Sequence, residues 1–188
     1  MSDSEAPGGI IFDCDGTLAD TMGLHFLAWS TTAARHGLTL GRDRFFALAG
    51  VPTREIVILL ASEVKHEVDV DAFCAEREAL FLSTIDRIGP VAPVLEIAER
   101  WRGRIPMSVA SGSLREVVHA TLRQLGLESV FAPVLGAEDA VRSKPAPDIF
   151  LEAAARMGVA PARCVVYEDS DKGLEAAEGA GMRGVDVR

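Results

Sequence analysis

Short runs of apolar residues recur along the chain, and between them the apolar positions repeat with a helical period. The runs that predict strands lie at 9–12, 105–110, 133–135, 164–167 and 185–187. Apolar runs without alternation are typical of strands that are covered on both faces of a sheet. The amphipathic stretches that predict helices between them lie at 114–125, 147–157 and 172–180. This alternation of strands and helices predicts a parallel sheet with crossover helices.

The segment between the first two strand candidates shows a helical period only. Its predicted helices lie at 24–36, 42–48, 53–64 and 70–88. The apolar positions of the last helix form one stripe, which consists of Phe73, Leu80, Phe81, Ile85 and Ile88. We therefore predict an α/β fold, in which a Rossmann-like three-layer core (1–20 and 88–188) carries an inserted all-helical cap (21–87). A single undivided α/β domain with extra helices is the alternative.

The charge of the chain excludes several classes of partner. Its 188 residues include 19 Lys and Arg against 28 Asp and Glu, which gives a formal net charge of −9. Binding to nucleic-acid phosphates or to anionic lipid needs a basic face, so we expect neither partner. The longest apolar run, 56–61, is far shorter than the roughly 20 residues of a membrane span. No coiled-coil pattern or additional apolar stripe calls for another subunit, and we expect a monomer.

The start of the sequence and the cysteines bear on location. The acidic start (1–5) differs from the positively charged start of a signal peptide. The three cysteines, Cys14, Cys74 and Cys164, are far apart and form no CxxC pair. They are typical of reduced core residues, which argues against a structural zinc site and favours a cytoplasmic location.

Two carboxylates directly follow the first predicted strand, in the segment Asp13-Cys14-Asp15-Gly16-Thr17. Residues i and i+2 of a strand face the same way, so Asp13 and Asp15 are expected to converge. Ligands of open α/β sheets bind at this end of the strands, and two negative charges this close call for a cation or a raised pKa. An EF-hand loop is disfavoured because its sixth and twelfth positions hold Leu18 and Leu24. A plain acidic turn is the remaining alternative.

Two later segments carry groups that suit a phosphate. Ser111, Gly112 and Ser113 place hydroxyl and amide donors at a strand–helix junction, although such a sequence is often only a helix cap. Lys144 precedes a predicted helix and can neutralise a phosphoryl oxygen, although a single lysine is in most proteins a surface residue. In combination the two segments predict a phosphate-binding site that includes Ser111, Gly112 and Lys144.

A fourth strand end supplies two further carboxylates, Glu168 and Asp169. Carboxylate and carbonyl oxygens are hard ligands, which Mg²⁺ prefers. We predict that Asp13, the main-chain carbonyl of Asp15 and Asp169 bind Mg²⁺. Glu168 would either join them as a ligand or hold a metal-bound water.

These motifs resemble those of the haloacid dehalogenase-like hydrolase superfamily. Its first to fourth motifs are matched, in order, by Asp13-x-Asp15-Gly16-Thr17, Ser111, Lys144 and Glu168-Asp169. The resemblance covers essentially the whole chain and implies a helical cap after the first motif. Further stretches are similar to the β-phosphoglucomutase-like phosphatases and, within that branch, to the bacterial fructose-1-phosphate/6-phosphogluconate phosphatases. These stretches lie at 101–107, 144–148, 164–173 and 180–182.

The resemblance and the residues predict the same chemistry, a Mg²⁺-dependent phosphatase that acts on a small sugar phosphate. Asp13 would attack phosphorus and form an aspartyl-phosphate. Asp15 would protonate the leaving oxygen and then deprotonate the water that hydrolyses the intermediate. Mg²⁺, Lys144 and Ser111 would hold the transferring group in line. Dehalogenation is disfavoured, since Asp15 and the metal-binding carboxylates would have little role in that reaction.

Two other functions remain open. A sugar-phosphate mutase of this branch is expected to carry one lysine after the position of Ser113 and another before Gly50, where this chain has Leu114 and Ala49. Arg115 could substitute for the first of these lysines. The second alternative is a protein without catalytic activity that binds a phosphorylated metabolite in the same pocket.

The resemblance also directs attention to residues on the substrate side of the site. Arg54 matches a cap arginine that contacts phosphate in the mutase, and we predict that it meets the anionic end or the hydroxyls of the substrate. A solvated arginine at a helix start is the alternative. His25 falls on a family position that faces the active site, with a packing residue as its alternative. Ser113 is assigned to the substrate side as well, and Thr21 and Trp29 are weaker candidates.

Overall fold

The computed structural model of the protein describes residues 6–188. The acidic start of the sequence (1–5), with which the predicted core segment begins, lies outside the described residues. The strands are β1 (Gly9–Phe12), β2 (Met107–Ala110), β3 (Val134–Leu135), β4 (Cys164–Glu168) and β5 (Arg183–Asp186). They form one parallel sheet in the order β3-β2-β1-β4-β5, which confirms the predicted parallel arrangement.

β1 lies at the centre of the sheet, and all four of its residues are buried. Ile10 lies opposite Met107 of β2 and Val165 of β4. Side chains alternate between the two faces, so Ile11 contacts one helical layer while Ile10 and Phe12 contact the other. Because β1 is flanked on both sides, the residue that follows it enters a space bordered by the ends of β2 and β4.

Four helices cover the two faces of the sheet. They are α5 (Ala92–Trp101), α6 (Arg115–Gln124), α7 (Asp148–Met157) and α8 (Asp171–Gly179). Phe150 of α7 and Ala176 of α8 pack on the face of Ile11. Val94 of α5 and Leu122 of α6 pack on the opposite face. The predicted Rossmann-like three-layer core is therefore confirmed.

The last strand differs from the prediction in position and in burial. β5 begins at Arg183, two residues before the predicted start, and three of its four residues are exposed. The strand forms the edge of the sheet, where it has a single neighbour, β4. The prediction that both faces of this strand are covered is wrong. An edge strand needs less apolar surface than a central strand, so its side chains can be exposed.

The region between β1 and β2 begins with four helices. They are α1 (Met22–Arg35), α2 (Arg42–Ala47), α3 (Thr53–Val64) and α4 (Val70–Leu82). The single helix predicted at 70–88 is wrong, since α4 ends at Leu82 and a 3-10 turn follows at Ile85–Arg87. The hydroxyls of Ser83 and Thr84 donate to carbonyl oxygens of the preceding turn, at 2.6 and 2.7 Å. Such bonds compete with the backbone hydrogen bonds that would continue a helix.

Helix α5 was not predicted from the pattern, although its sequence carries a recognisable start. Pro93 occupies the first turn of the helix, where proline is well tolerated. Its buried residues, Val94 and Ala98, lie four positions apart and face the sheet. No helix among residues 6–188 is long and apolar enough to cross a membrane.

The four helices after β1 enclose a hydrophobic core of their own. Trp29, Phe45, Leu60 and Phe73 are buried there against one another. A second cluster, which includes Phe81, connects these helices to α6 of the sheet layer. This separation of clusters agrees with a helical cap on an α/β core, and the predicted boundaries at 21 and 87 stay a prediction.

We expect Phe73→Ala to lower the free energy of unfolding by about 3–5 kcal/mol, because it removes a fully buried aromatic ring from the core of the helical region. Phe46→Ala is the matched control, since Phe46 is 41% exposed, and its expected loss is about 1 kcal/mol or less. Urea unfolding measures both variants. Equal losses for the two would contradict the existence of a separate packed core around Phe73.

Candidate active site

Polar side chains from three neighbouring strand ends meet at the carboxyl edge of the sheet. Asp13 follows β1, Ser111 follows β2, and Glu168 with Asp169 stands at the end of β4. Lys144 reaches the same place from the loop before α7. These residues line a cleft between the sheet edge and the helical region, with a volume of about 450 Å³. All four predicted motifs are therefore brought together.

The ammonium group of Lys144 is buried between two carboxylates. Nζ donates to Oδ1 of Asp13 and to Oε2 of Glu168, each at 2.7 Å, and to the carbonyl oxygen of Ala110 at 3.2 Å. Burial alone would lower the pKa of Lys144, but the charges of Asp13 and Glu168 hold it above its ordinary value. Lys144 therefore stays charged, and its three protons all have acceptors.

The carboxylates outnumber this single ammonium group. Burial, reinforced by the charge of Glu168, raises the pKa of Asp13 well above its ordinary value although Lys144 opposes the shift. Burial and Glu168 likewise raise the pKa of Asp169 to about 7. For Glu168 itself the contacts with Lys144 and Ser170 outweigh burial and lower the pKa. The site thus holds more negative charge than its own cation balances.

These carboxylates fit a divalent cation. Asp13, Glu168 and Asp169 each offer an oxygen, and the three oxygens lie within 4.8 Å of one another. The donor set consists of hard oxygens without thiol or imidazole, which suits Mg²⁺. A cation at this place would relieve the repulsion that raises the pKa values of Asp13 and Asp169.

The turn after the two aspartates closes directly against Asp169. Gly16 adopts a φ of +86°, and a Cβ at this position would lie 2.1 Å from Oδ2 of Asp169. Only glycine avoids both the left-handed strain and this collision. Thr17 adds a hydroxyl that donates to Oδ1 of Asp169 at 3.4 Å. The Gly-Thr pair of the first motif therefore brings the end of β1 against the end of β4.

Asp15 lies in the same cleft as Asp13 but has different partners. Its Oδ1 accepts from the Thr21 hydroxyl at 2.8 Å and lies 2.9 Å from Nε2 of His25, and its Oδ2 accepts from the Ser113 hydroxyl at 2.6 Å. Burial would raise the pKa of Asp15, but His25 and the two hydroxyls hold it well below its ordinary value. The two aspartates share the cleft as predicted, and their carboxylates have different partners.

The serine segment after β2 forms part of this network. The Ser111 hydroxyl accepts from the amide of Ser113 at 3.0 Å and donates to Oδ2 of Asp15 at 3.4 Å. Gly112 lies beside them in the wall of the cleft. The alternative that this segment is only a helix cap is wrong, because the N-cap residue of α6 is Leu114, whose side chain makes no capping hydrogen bond. The turn of Ser111 and Ser113 borders the cleft instead, and its role as an anion site stays a prediction.

The structure distributes the predicted cap residues between the interior and the rim of the cleft. His25 is buried, stacks on Phe81 with ring centroids 3.9 Å apart, and contacts Asp15. Arg54 is largely exposed at the rim, where its guanidinium is paired with Asp71. His25 is thus next to the catalytic candidates, whereas the charge of Arg54 is already shared with a carboxylate.

Arg77 of α4 also lines the cleft, although it was not predicted from the sequence. Its Nη1 lies 3.4 Å from Nδ1 of His25, and its guanidinium lies 5.9 Å from the centre of the Trp29 ring. Its buried Nε has no hydrogen-bond partner among the described residues. The sequence feature that could have indicated Arg77 is its position four residues after Phe73 and four before Phe81, which places a cation within the buried stripe.

Comparison with known proteins assigns the chain to one family. The model of the family described as haloacid dehalogenase-like hydrolase matches residues 8–181. The chain is 40% identical over 185 residues to fructose-1-phosphate phosphatase YqaB of Escherichia coli K12, with 98% of each chain covered. It is 30% identical over 187 residues to β-phosphoglucomutase of Bacillus subtilis 168, with 95% of this chain and 82% of that protein covered.

A solved structure shows the same fold. CbbY from Rhodobacter sphaeroides, crystallised as a mutant in complex with xylulose-(1,5)bisphosphate, superposes with a TM-score of 0.83 at 26% identity. The match covers 95% of this chain and 84% of that one. The fold of nearly the whole chain is therefore shared with this solved structure.

We expect Lys144→Met to lower the free energy of unfolding by about 3–5 kcal/mol at pH 7, because it leaves Asp13 and Glu168 buried without their counter-charge. The loss should shrink at pH 5, where carboxylates that lack the ammonium take up protons more readily. Urea unfolding without divalent cations measures both values. Lys65→Met, at an exposed position, is the control, and its expected change in the free energy of unfolding is within about 0.5 kcal/mol. An equally small loss for Lys144→Met would contradict the role of Lys144 as the counter-charge of Asp13 and Glu168.

Proposed function

Because the chain belongs to the haloacid dehalogenase-like hydrolase family, we propose that it hydrolyses the phosphate monoester of a small sugar through an aspartyl-phosphate on Asp13. One observation carries the proposal: Asp13 and Asp15 are neighbours in one cleft, yet Asp13 contacts the ammonium of Lys144 while Asp15 contacts His25 and three hydroxyls. Two carboxylates in separate electrostatic environments can take separate parts in one reaction.

In the first step a carboxylate oxygen of Asp13 forms a bond to phosphorus, and the bond from phosphorus to the sugar oxygen breaks. The sugar oxygen takes a proton from Asp15, so the alcohol leaves neutral. Asp15 is ionised in its observed hydrogen-bond network, so it takes up a proton before this step. Lys144 and the Ser111 segment lie where they can stabilise charge on the phosphoryl oxygens.

In the second step water attacks the aspartyl-phosphate, and Asp15 accepts a proton from that water. The bond between Asp13 and phosphorus breaks, inorganic phosphate leaves, and the carboxylate of Asp13 is regenerated. The low pKa of Asp15 suits its return to the ionised form, because four groups around it hold the carboxylate through hydrogen bonds. Lys144 keeps the carboxylate of Asp13 oriented through both steps.

Asp13, Glu168, Asp169 and the main-chain carbonyl of Asp15 are the groups that would hold Mg²⁺. When bound, the ion would neutralise negative charge on the phosphoryl group. The support for this assignment is the group of three carboxylate oxygens and the uncompensated charge around it.

Phosphatase activity is favoured over mutase activity by the environment of Arg115. Its guanidinium donates to both oxygens of Asp139, from Nη2 at 2.6 Å and from Nε at 2.9 Å. An arginine held in this way is a poor substitute for the lysine that is missing at Leu114, and Ala49 supplies no cation either. Water, rather than a second sugar phosphate, is then the acceptor of the phosphoryl group that the site supports. The name of the Escherichia coli relative supports fructose 1-phosphate as the substrate. 6-Phosphogluconate is the second substrate type that the resemblance described above implies.

We expect Asp13→Asn to reduce fructose 1-phosphate hydrolysis at least about a thousandfold, because an amide is not a nucleophile toward phosphorus. The wild-type protein, quenched during turnover with ³²P-labelled substrate, should carry acid-stable label that the variant lacks. Asp20→Asn changes an exposed residue of the same segment and serves as the control. Retained turnover in Asp13→Asn would contradict the mechanism, and an intact protein that binds the ester without hydrolysing it would favour the binding-protein alternative.

We expect Mg²⁺ to bind at least about tenfold more weakly for each pH unit below about 7, because Asp169, whose pKa is about 7 without the ion, must lose a proton to bind it and the raised pKa of Asp13 can only steepen this dependence. Isothermal titration calorimetry at pH 5.5, 6.5 and 7.5 measures this dependence. Asp169→Asn should bind weakly at every pH, whereas Asp171→Asn, at a highly exposed position, should behave as the wild-type protein. A dissociation constant that is the same at all three pH values would disprove the assignment of Asp169.

A further inference from the structure

Arg77 lines the cleft without forming an ion pair with any described residue. Within the described part of the chain its side chain makes one hydrogen bond, from Nη1 to Nδ1 of His25, and the distance of 3.4 Å is long for such a bond. Its buried Nε has no acceptor among these residues. A guanidinium carries five N–H donors, so most of the hydrogen-bonding capacity of Arg77 is unused.

The guanidinium of Arg77 is held in place by packing. It lies 5.9 Å from the centre of the Trp29 ring, and Trp29 packs on Phe73 with ring centroids 5.4 Å apart. Burial lowers the pKa of Arg77 although the charges of Glu78 and Asp15 oppose the shift, and neither carboxylate forms a hydrogen bond with it. Negative charge is therefore near the guanidinium, and what it lacks is acceptor atoms at hydrogen-bond distance.

Glu78, the next residue of α4, supplies the complementary group. It is half-buried and lines the cleft, and its side chain has no hydrogen-bond partner among the described residues. Arg77 can only donate, and the ionised carboxylate of Glu78 can only accept. A hydroxyl group does both, so the adjacent hydroxyls of a sugar can satisfy the two residues together.

The two oxygens of Asp15 face different parts of the cleft. Oδ2 accepts from the hydroxyl of Ser111, in the segment proposed to border the phosphoryl group, whereas Oδ1 lies 2.9 Å from Nε2 of His25. Nδ1 of the same imidazole contacts Arg77, so a single ring separates the guanidinium from Asp15. A sugar whose leaving oxygen lies beside Asp15 can therefore extend toward Arg77 and Glu78.

Arg54, which was predicted to meet the substrate, suits this role less well. Its guanidinium is paired with Asp71, and 59% of its side chain is exposed at the rim of the cleft. A ligand that binds Arg54 has to compete with this carboxylate and with water. A ligand that binds Arg77 breaks no ion pair among the described residues and meets donors whose position is already fixed.

We propose, on the basis of the proposed phosphatase function, that Arg77 and Glu78 bind hydroxyl groups of the sugar, with Arg77 as their donor and Glu78 as their acceptor. The strand ends then bind the phosphoryl group, and this pair on α4 selects the alcohol. An ester without further hydroxyls is bound weakly, because it excludes water from the pair and offers no hydrogen bonds in return.

The test compares fructose 1-phosphate with ethyl phosphate, which is also an ester of a primary alcohol but has no hydroxyl group. The first ester gives kcat and KM in the presence of Mg²⁺. The second is used as a competitor, so its inhibition constant is obtained whether or not it is hydrolysed. If the wild-type protein hydrolyses 6-phosphogluconate alone, that ester replaces fructose 1-phosphate. In the wild-type protein the inhibition constant should exceed the KM at least about tenfold.

We expect Arg77→Met to raise the KM for fructose 1-phosphate at least about tenfold and to leave the inhibition constant of ethyl phosphate within about twofold. Arg77→Lys retains a cation with donors and should raise the KM only about threefold. Glu78→Met should raise it about fivefold, again without an effect on ethyl phosphate. Arg100→Met, at an exposed position of α5, is the control and should leave both constants unchanged.

Urea unfolding shows whether each variant is folded, and Arg77→Lys with Glu78→Met decides the test if Arg77→Met is not. A role of Arg77 in positioning His25 and Asp15 alone would lower kcat and leave the KM unchanged. A role in packing on Trp29 alone would change the KM and the inhibition constant by the same factor. Either result would overturn the proposal for Arg77 and Glu78 and leave the phosphatase proposal in place.

Failure of the proposed function itself gives a different result. If the wild-type protein hydrolyses neither fructose 1-phosphate nor 6-phosphogluconate, the phosphatase proposal for a small sugar is wrong, and the binding of sugar hydroxyls by Arg77 and Glu78 falls with it.

Discussion

The buried ammonium of Lys144 joins three adjacent strand ends, because it donates to Asp13 after β1, to a main-chain carbonyl at the end of β2, and to Glu168 of β4. Removing an ion from water is costly, and the cost is recovered only where partners are close and well oriented. The strand order, the loop before α7 and the end of β4 must all be correct for Lys144 to be satisfied. The same contact that fixes the sheet edge also places a positive charge beside the proposed nucleophile.

The position of the site could be predicted from the sequence, since the carboxyl ends of parallel strands meet at one edge and the motif residues follow those ends. The separate partners of Asp13 and Asp15 could not, because Lys144 and Ser113 are far from these aspartates in the sequence. The break of the helix at 82 and the partnership between Arg115 and Asp139 were also missed. Both depend on side-chain hydrogen bonds, which hydrophobic periodicity does not record.

The residues missed around the cleft share a physical reason. Arg77 lies within the apolar stripe that buries α4. Hydrophobic periodicity assigns a position in such a stripe to the core and does not indicate a functional residue there. Glu78 is the next residue of this helix, and its charge is typical of a solvated helix face. Arg77 comes close to His25 and Trp29 only in the folded helical region. Contacts of this kind are properties of the tertiary structure, and they cannot be predicted from one sequence alone.

The anchoring of α4 has a consequence for how enzymes with this architecture can diverge. Phe73 and Phe81 hold the helix by hydrophobic packing one turn before and one turn after Arg77. The backbone at 77 and 78 is therefore fixed by residues other than those that face the cleft. Side chains at these two positions can be exchanged over generations while the backbone of α4 and the strand ends are left in place. The lining of the cleft can thus change without loss of the packing that holds this helix.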